Sequence, residues 1–279
     1  MAEMSGRVCL ITGATNGIGR AAAEALARMG AAVILHGRSV QRLDHAVAEI
    51  RSATGNANVS RLVADLSSLA EVRRLGAEIN ALTSPLHVLV NNAGVLNLRP
   101  HTSKDGFELQ FAVNHLAHFL LTNLVLDKLR ASGKARVVVV ASRAHYGNPP
   151  DPNRLENNPS LAAYGRSKFA NVLFAKELAR RLSGSDMTAN ALHPGVVWTN
   201  MVRQPRPPIS WIAPVLKPFL ISPDDGAKTS VYLASSPAVA GVSGKYFDEC
   251  KEVAADVASD DLALARALWE KSAALVKLG

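Results

Sequence analysis

The stretch Val8-Cys9-Leu10-Ile11-Thr12-Gly13-Ala14-Thr15-Asn16-Gly17-Ile18-Gly19 decides how the rest of the chain is read. Its opening residues are apolar and partly β-branched, as a buried strand requires, and Ile18–Met29 follow helical spacing. Between them stand three glycines in the order Gly-x3-Gly-x-Gly. A tight strand-to-helix turn calls for positive φ. Missing Cβ atoms let backbone amides approach a pyrophosphate, and the helix N-terminus adds partial positive charge. The spacing departs from the GxGxxG fingerprint, and three turn glycines in a βα loop would read the same way. Their place directly between strand and helix favours Gly13, Thr15, Asn16, Gly17, Ile18 and Gly19 as a dinucleotide loop.

Outward from this loop, short β-branched runs alternate with longer helical stretches. Strands are expected at Val8–Thr12, Ala32–His36, Val59–Ala64, His87–Asn91, Ala135–Ser142, Thr188–His193 and Gly244–Phe247. Runs such as Val137-Val138-Val139-Val140 are apolar throughout, as in parallel strands covered on both faces. Helices are expected at Ile18–Met29, Val40–Ala53, Leu69–Leu82, Phe107–Arg130, Ala162–Leu182, Asp224–Ala234 and Asp261–Lys277. The alternation predicts an α/β fold: one Rossmann-type, doubly wound parallel sheet of about seven strands, with residues 1–279 forming a single domain. Two irregular stretches interrupt it. Gly147–Ser160 is rich in Pro and Asn. Thr199–Pro223 carries several prolines with Trp211 and Phe219, and is too apolar for a plain solvated loop; it is a candidate substrate lid.

At 279 residues the chain buries enough surface to need no disulfide or metal. Cys9 and Cys250 form no CxxC pair, so a reducing, cytoplasmic setting is expected. No signal-peptide pattern precedes Val8, and no run reaches the roughly 18 apolar residues of a membrane span. The net charge of +8 is scattered, without basic blocks or interleaved aromatics, which argues against nucleic acid. His36, His115, His118, His145 and His193 fit no metal-ligand spacing, so no metal is expected.

The second strand runs into Leu35-His36-Gly37-Arg38-Ser39. NAD sites usually place an acid here for the ribose 2′-hydroxyl. None occurs, whereas Arg38 can neutralise a 2′-phosphate with Ser39 as a further donor. NADP(H) is the expected cofactor, against the alternative of a solvated arginine at a helix start. Asp65-Leu66 follows the third strand, where an adenine would lie. Asn91-Asn92-Ala93-Gly94 follows the fourth, where small residues permit close approach and the Asn side chains can tie turns.

Tyr164 and Lys168 are one turn apart on a predicted helix. A neighbouring ammonium favours phenolate and would lower the phenol pKa toward neutrality, making Tyr164 an acid–base group; the pair alone also occurs by chance. Ser142 closes the fifth strand, at the sheet edge where ligands collect, and could bond a substrate carbonyl. Asn114 lies among Phe111, Val113, Leu116 and Phe119, so it needs partners; a buried amide satisfied by backbone is the plain alternative.

Taken together, TGATNGIG, Asp65-Leu66, NNAG, Asn114, Ser142, the YGRSK segment and His193-Pro194-Gly195-Val196-Val197-Trp198-Thr199 resemble the classical short-chain dehydrogenase/reductase family. The motifs lie in family order over residues 8–250. Ser142-Arg143-Ala144-His145 and Ser167-Lys168-Phe169-Ala170-Asn171 look most like its retinol-dehydrogenase-like branch. The resemblance implies an oxidoreductase moving a hydride between NADP(H) and the carbonyl or alcohol of a small, largely apolar molecule. It implies Tyr164 as proton donor or acceptor, with Lys168 lowering its pKa and holding the nicotinamide ribose. Ser142 would orient the carbonyl, and Asn114 would hold a water in a relay through Lys168. Asn92, Ala93, Gly94, Pro194, Gly195, Val197 and Thr199 would line the cofactor. A homodimer or homotetramer is implied as well, consistent with apolar residues on several stripes of Phe107–Leu129.

Some features depart from the family pattern. Arg143 stands where a small residue is common, the Ser142–Tyr164 spacing is long, and Asn16 is not basic. Val95, Leu96, Tyr146, Trp198, Trp211 and Phe219 are expected around a bulky apolar substrate, with membrane contact by residues 209–221 the rival reading. Two other classes compete: a non-catalytic dinucleotide sensor on the same fold, and an S-adenosylmethionine methyltransferase. The intact Asn114, Ser142, Tyr164 and Lys168 weigh against the first, and the Tyr164–Lys168 pair with the missing acid after the second strand weighs against the second.

Overall fold

In the computed structural model, which describes residues 3–97, 101–152, 161–195 and 221–278, the strands form one sheet in the order β3-β2-β1-β4-β5-β6-β7-β8. They are β1 (Val8–Ile11), β2 (Ala32–Gly37), β3 (Val59–Val63), β4 (Val88–Asn91), β5 (Arg136–Val140), β6 (Thr188–His193), β7 (Tyr246–Asp248) and β8 (Lys251–Val253). The first seven are parallel and in the expected places; β8 is antiparallel to β7. Strand order reverses between β1 and β4, the switch point where α/β sheets collect ligands at their carboxyl ends.

Alternation along each strand sends side chains to two cores. Leu10, Leu89, Val137 and Val139 pack on one face against α3 (Leu69–Ala81), α5 (Ala117–Leu124), α7 (Leu161–Arg181) and α9 (Leu262–Leu275). Cys9, Ile11, Val138 and Val140 pack on the other against α1 (Gly17–Arg28), α2 (Val40–Thr54) and α8 (Pro223–Ser235). The four-valine run is thus explained: each pair fills a different core. Helix ends follow local chemistry. Ser39, Ser68, Ser222 and Asp261 accept backbone amides at the starts of α2, α3, α8 and α9, and Gly55 closes α2 in the left-handed region.

Two expectations need correction. The single helix expected over Phe107–Arg130 is four pieces: α4 (Leu109–Phe111), a π turn (Ala112–Leu116), α5, and α6 (Leu126–Ala131). The π turn centres on Asn114, whose amide is bonded to Val95 rather than to solvent, so the backbone shifts to bring it there. The eighth strand was not expected. It is three exposed residues long, and its turn uses Glu249 (φ 48°) and Cys250 (φ 62°) in place of the usual Asn-Gly.

Among the described residues, no helix is long and apolar enough to cross a membrane. The apolar stripes around α5 are covered inside this chain: Phe119 meets Phe174 and Trp269 at ring distances of 5.6 and 4.8 Å. A cavity of about 940 Å³ opens beside Arg7, His87 and Arg136 at the amino ends of the strands, away from the switch point.

Candidate active site

The glycines of the loop are required by its close packing on the turn after β4. A Cβ on Gly13 (φ 67°) would lie 2.9 Å from the Ala93 Cα; one on Gly19 would lie 2.3 Å from Asn92 Nδ2 and 2.5 Å from Gly13 O. The loop therefore presses directly on Asn92-Ala93-Gly94 after β4. Asn92 Nδ2 donates to Thr12 O at 2.8 Å and Gly13 O at 3.3 Å, and the amides of Asn92 and Ala93 donate to Thr12 Oγ1. Asn92 ties the turns as its sequence position implied. Asn16 sits at the N-cap of α1 without using its side chain, and no acid occupies the first turn beside Gly17 and Ile18. That leaves an uncrowded, partially positive helix end facing the cradle. Thr15 packs under Gly37, where a Cβ would meet its Cγ2 at 2.8 Å.

Arg38 is exposed just beyond β2 and forms no ion pair among the described residues. The Ser39 hydroxyl is engaged locally: it accepts from Arg42 N and donates to Gln41 Oε1, so helix capping accounts for it. Asp65 accepts from the amide and hydroxyl of Ser67 and pairs with Lys104 at 3.1 Å. Burial alone would raise its carboxyl; these partners outweigh that and hold it below the ordinary value. Leu66 is buried beside it. Pro194 and Gly195 lie past β6 and are half-buried. Val197 and Thr199 lie outside the described residues, as do Trp198, Trp211, Phe219 and all of the expected lid before Ile221.

Ser142, Tyr164, Lys168 and Asn114 come together at the carboxyl ends of β4 and β5. The Ser142 side chain neighbours the Tyr164 phenol and acts to lower its pKa, and Lys168 Nζ lies 5.7 Å from the phenol ring centre. A Cβ on Gly94 would lie 3.5 Å from Lys168 Nζ and 3.4 Å from Asn114 Oδ1, so the NNAG turn abuts both. Lys168 is 3 % exposed and donates to Val140 O at 2.9 Å; burial pulls its pKa down to about 8. The expected lowering of the Tyr164 pKa by Lys168 is not present. Burial raises the phenol, and only the Ser142 side chain opposes it. The ammonium is directed to a carbonyl and is itself destabilised by burial, so it offers the phenol little.

Asn114 is fully buried, and its amide is spoken for: Oδ1 accepts from Val95 N, and Nδ2 donates to Val95 O and Ser167 Oγ. Its backbone carbonyl accepts from His118 Nδ1 at 3.1 Å. The plain alternative of a backbone-satisfied amide thus describes this side chain, and any proton relay has to use the carbonyl.

The segment after Ser142 is held from the C-terminal part of the chain, which sequence reasoning missed. Arg143 Nε donates to Asp248 Oδ2 at 2.7 Å, so this departure from the family pattern faces β7. His145 Nδ1 meets Ser142 O at 2.7 Å while its Nε2 accepts from Asp256 N; the ring is buried and unavailable to a substrate. Tyr146 donates to Ala254 O, and Gly147 N donates to Asp256 Oδ2. These partners are about a hundred residues away, and no local spacing marks them. His193 accepts from Arg143 N, and burial drops its pKa to about 4.

A glycine cradle at the switch point next to a Ser–Tyr–Lys cluster is the arrangement of a nicotinamide-dependent oxidoreductase. The sequence profile of the short chain dehydrogenase family matches residues 7–209, and the chain belongs to that family, whose members use NAD(P)(H). Within it the chain is retinol-dehydrogenase-like. It is 43 % identical to retinol dehydrogenase 14 of Homo sapiens over 300 aligned positions, covering 99 % of this chain and 88 % of that one. Among solved structures, an uncharacterized protein from Mycobacterium paratuberculosis superposes with a TM-score of 0.79 at 32 % identity, over 98 % of this chain and 94 % of that one. A 3-oxoacyl (acyl-carrier-protein) reductase from Agrobacterium tumefaciens with NADP bound gives 0.73 at 28 % identity, over 88 % and 93 %.

Proposed function

We propose that the protein interconverts the carbonyl and alcohol of a small, apolar molecule of the retinoid type, using NADP(H). The clustering of Ser142, Tyr164 and Lys168 carries this reading, set against the turn on which Gly13 and Gly19 press. The nicotinamide, when bound, would supply or accept the hydride. Gly13, Thr15, Asn16, Gly17, Ile18 and Gly19 would hold its pyrophosphate, and Asp65, Leu66, Asn92, Ala93 and Gly94 would line the adenine and ribose. Tyr164 gives its phenolic proton to the substrate oxygen in reduction and takes it back in oxidation. Ser142 Oγ orients that oxygen; Lys168 Nζ would hold the ribose and return a proton to Tyr164, itself resupplied from solvent by a water that the Asn114 carbonyl would hold. Arg38, exposed and without an acidic partner among the described residues, supports NADP(H) over NAD(H). The 43 % identity to a retinol dehydrogenase supports the substrate class. Self-association rests on family resemblance, since the stripes of α5 are filled within one chain.

The test is NADPH oxidation with all-trans-retinal as probe. Tyr164→Phe should lower kcat by about 10²- to 10⁴-fold while NADPH still binds. A parent protein that binds NADPH but reduces no apolar carbonyl would instead favour a non-catalytic sensor.

A further inference from the structure

We propose that His118 is a positioning residue: its neutral ring joins the Thr12 hydroxyl of the dinucleotide loop to the backbone carbonyl of Asn114 at the reacting centre. The idea rests on the reading that Asn114, Tyr164 and Lys168 form that centre.

The hydrogen bonds can be given directions by elimination. Thr12 Oγ1 accepts from Asn92 N at 2.9 Å and Ala93 N at 3.0 Å, which fills its acceptor sites. Its one proton has two destinations: Val90 O at 3.3 Å, or His118 Nε2 at 2.9 Å. The shorter contact requires Nε2 to be unprotonated. Nδ1 then carries the ring proton, and it lies 3.1 Å from Asn114 O, a group that can only accept. The chain runs from the Asn92 and Ala93 amides through Thr12 and His118 to Asn114. Every member is buried or half-buried, and His118 itself is 1 % exposed. Burial drives the ring's pKa down to about 3, which keeps it neutral at working pH, and the two hydrogen-bond partners then fix the tautomer.

The geometry also says where a loss would fall. Without His118, the Thr12 hydroxyl can turn to Val90 O and keep both amides, so the dinucleotide loop persists. The Asn114 carbonyl loses a donor in the π turn, where the backbone is already displaced. Because the Asn114 amide is fully engaged by Val95 and Ser167, that carbonyl is the group left to serve Lys168.

Three variants separate the two hydrogen bonds. His118→Leu should lower kcat for all-trans-retinal by about 10- to 100-fold, with the Kd for NADPH nearly unchanged. His118→Asn can offer its amide where Nδ1 stood and should recover most of kcat; His118→Gln, which reaches toward Thr12, should not. Melting temperatures are expected to fall for all three, so a purely structural role would make kcat track stability instead of hydrogen-bond identity. Recovery by Gln and not Asn, or an unchanged kcat in His118→Leu, overturns the proposal. Nitrogen-15 NMR of the parent protein, independent of turnover or variant folding, should report the Nδ1–H tautomer at pH 6; an Nε2–H ring or an imidazolium overturns it. Should Tyr164→Phe keep full turnover, the reading of the reacting centre fails while the tautomer result stands.

Discussion

The two halves of the sheet's carboxyl edge are built by opposite means. Over β1 and β4 the dinucleotide side is shaped by what is missing. Side chains are absent at Gly13, Gly19 and Gly94, and one amide, Asn92 Nδ2, laces neighbouring turns together. Over β5 to β7 the reacting side is shaped by what is added. Arg143, His145, Tyr146 and Gly147 each reach a partner near the C-terminus. The first half depends on close backbone contact, and at Gly13 and Gly19 it leaves no room for an added atom. The second depends on several modest bonds and should degrade by degrees.

The largest effect is expected from Gly19→Ala. Its methyl would collide with backbone as well as with Asn92, so NADPH affinity should fall by more than about 100-fold. Near-normal binding by fluorescence titration would break the contrast. Arg38→Ala should reduce the preference for NADPH over NADH by roughly 10- to 100-fold, as expected for one charge-assisted contact, with NADH kinetics unchanged. Unchanged discrimination would reject Arg38 as the reader of the 2′-phosphate.

On the opposite half, Asp256→Ala removes the acceptor for Gly147 N and Ala258 N. It should cost about 1 kcal/mol of stability and a few-fold in kcat, leaving NADPH affinity alone. The Gly147 amide holds the Asp256 carboxyl below its ordinary pKa. Its contribution is therefore complete above the unfolded carboxylate pKa and fades as pH falls through the folded one. A melting-temperature gap between parent and Asp256→Ala that fails to narrow in acid would count against this hydrogen bond.

A further test concerns Lys168. Its folded pKa of about 8 lies below the unfolded value near 10.4. The unfolded chain binds more protons between those values, so the parent should gain stability as pH rises through that window. Relative to Lys168→Met, its melting temperature should climb there; a flat difference would mean that Lys168 is not desolvated as described.

The same contrast explains what the sequence reveals. Seven strands were legible because short β-branched and apolar runs, some of them apolar throughout, alternate with helical stretches, and the cradle because its glycines stand in one continuous stretch. Ser142, Tyr164 and Lys168 were legible through a strand end and a one-turn spacing. The π turn was not, because Asn114 sits in an apolar pattern that reads as unbroken helix. Asp248 and Asp256 were illegible for a different reason. They look like surface acids, and only the folding of β7 and β8 beside the Ser142 segment makes them structural. The direction of the Tyr164 shift also escaped, since spacing conveys proximity of charge but not the extent of desolvation.

The short hairpin at the margin has one more consequence. A sheet of parallel strands would end with an open row of amides and carbonyls, an invitation to a neighbouring chain. Here the last strand is Lys251-Glu252-Val253, three residues long, with Glu252 paired to Lys245 at 2.9 Å. Brevity and charge blunt that margin. The hairpin that closes this side of the sheet thus guards its margin against edge-to-edge aggregation.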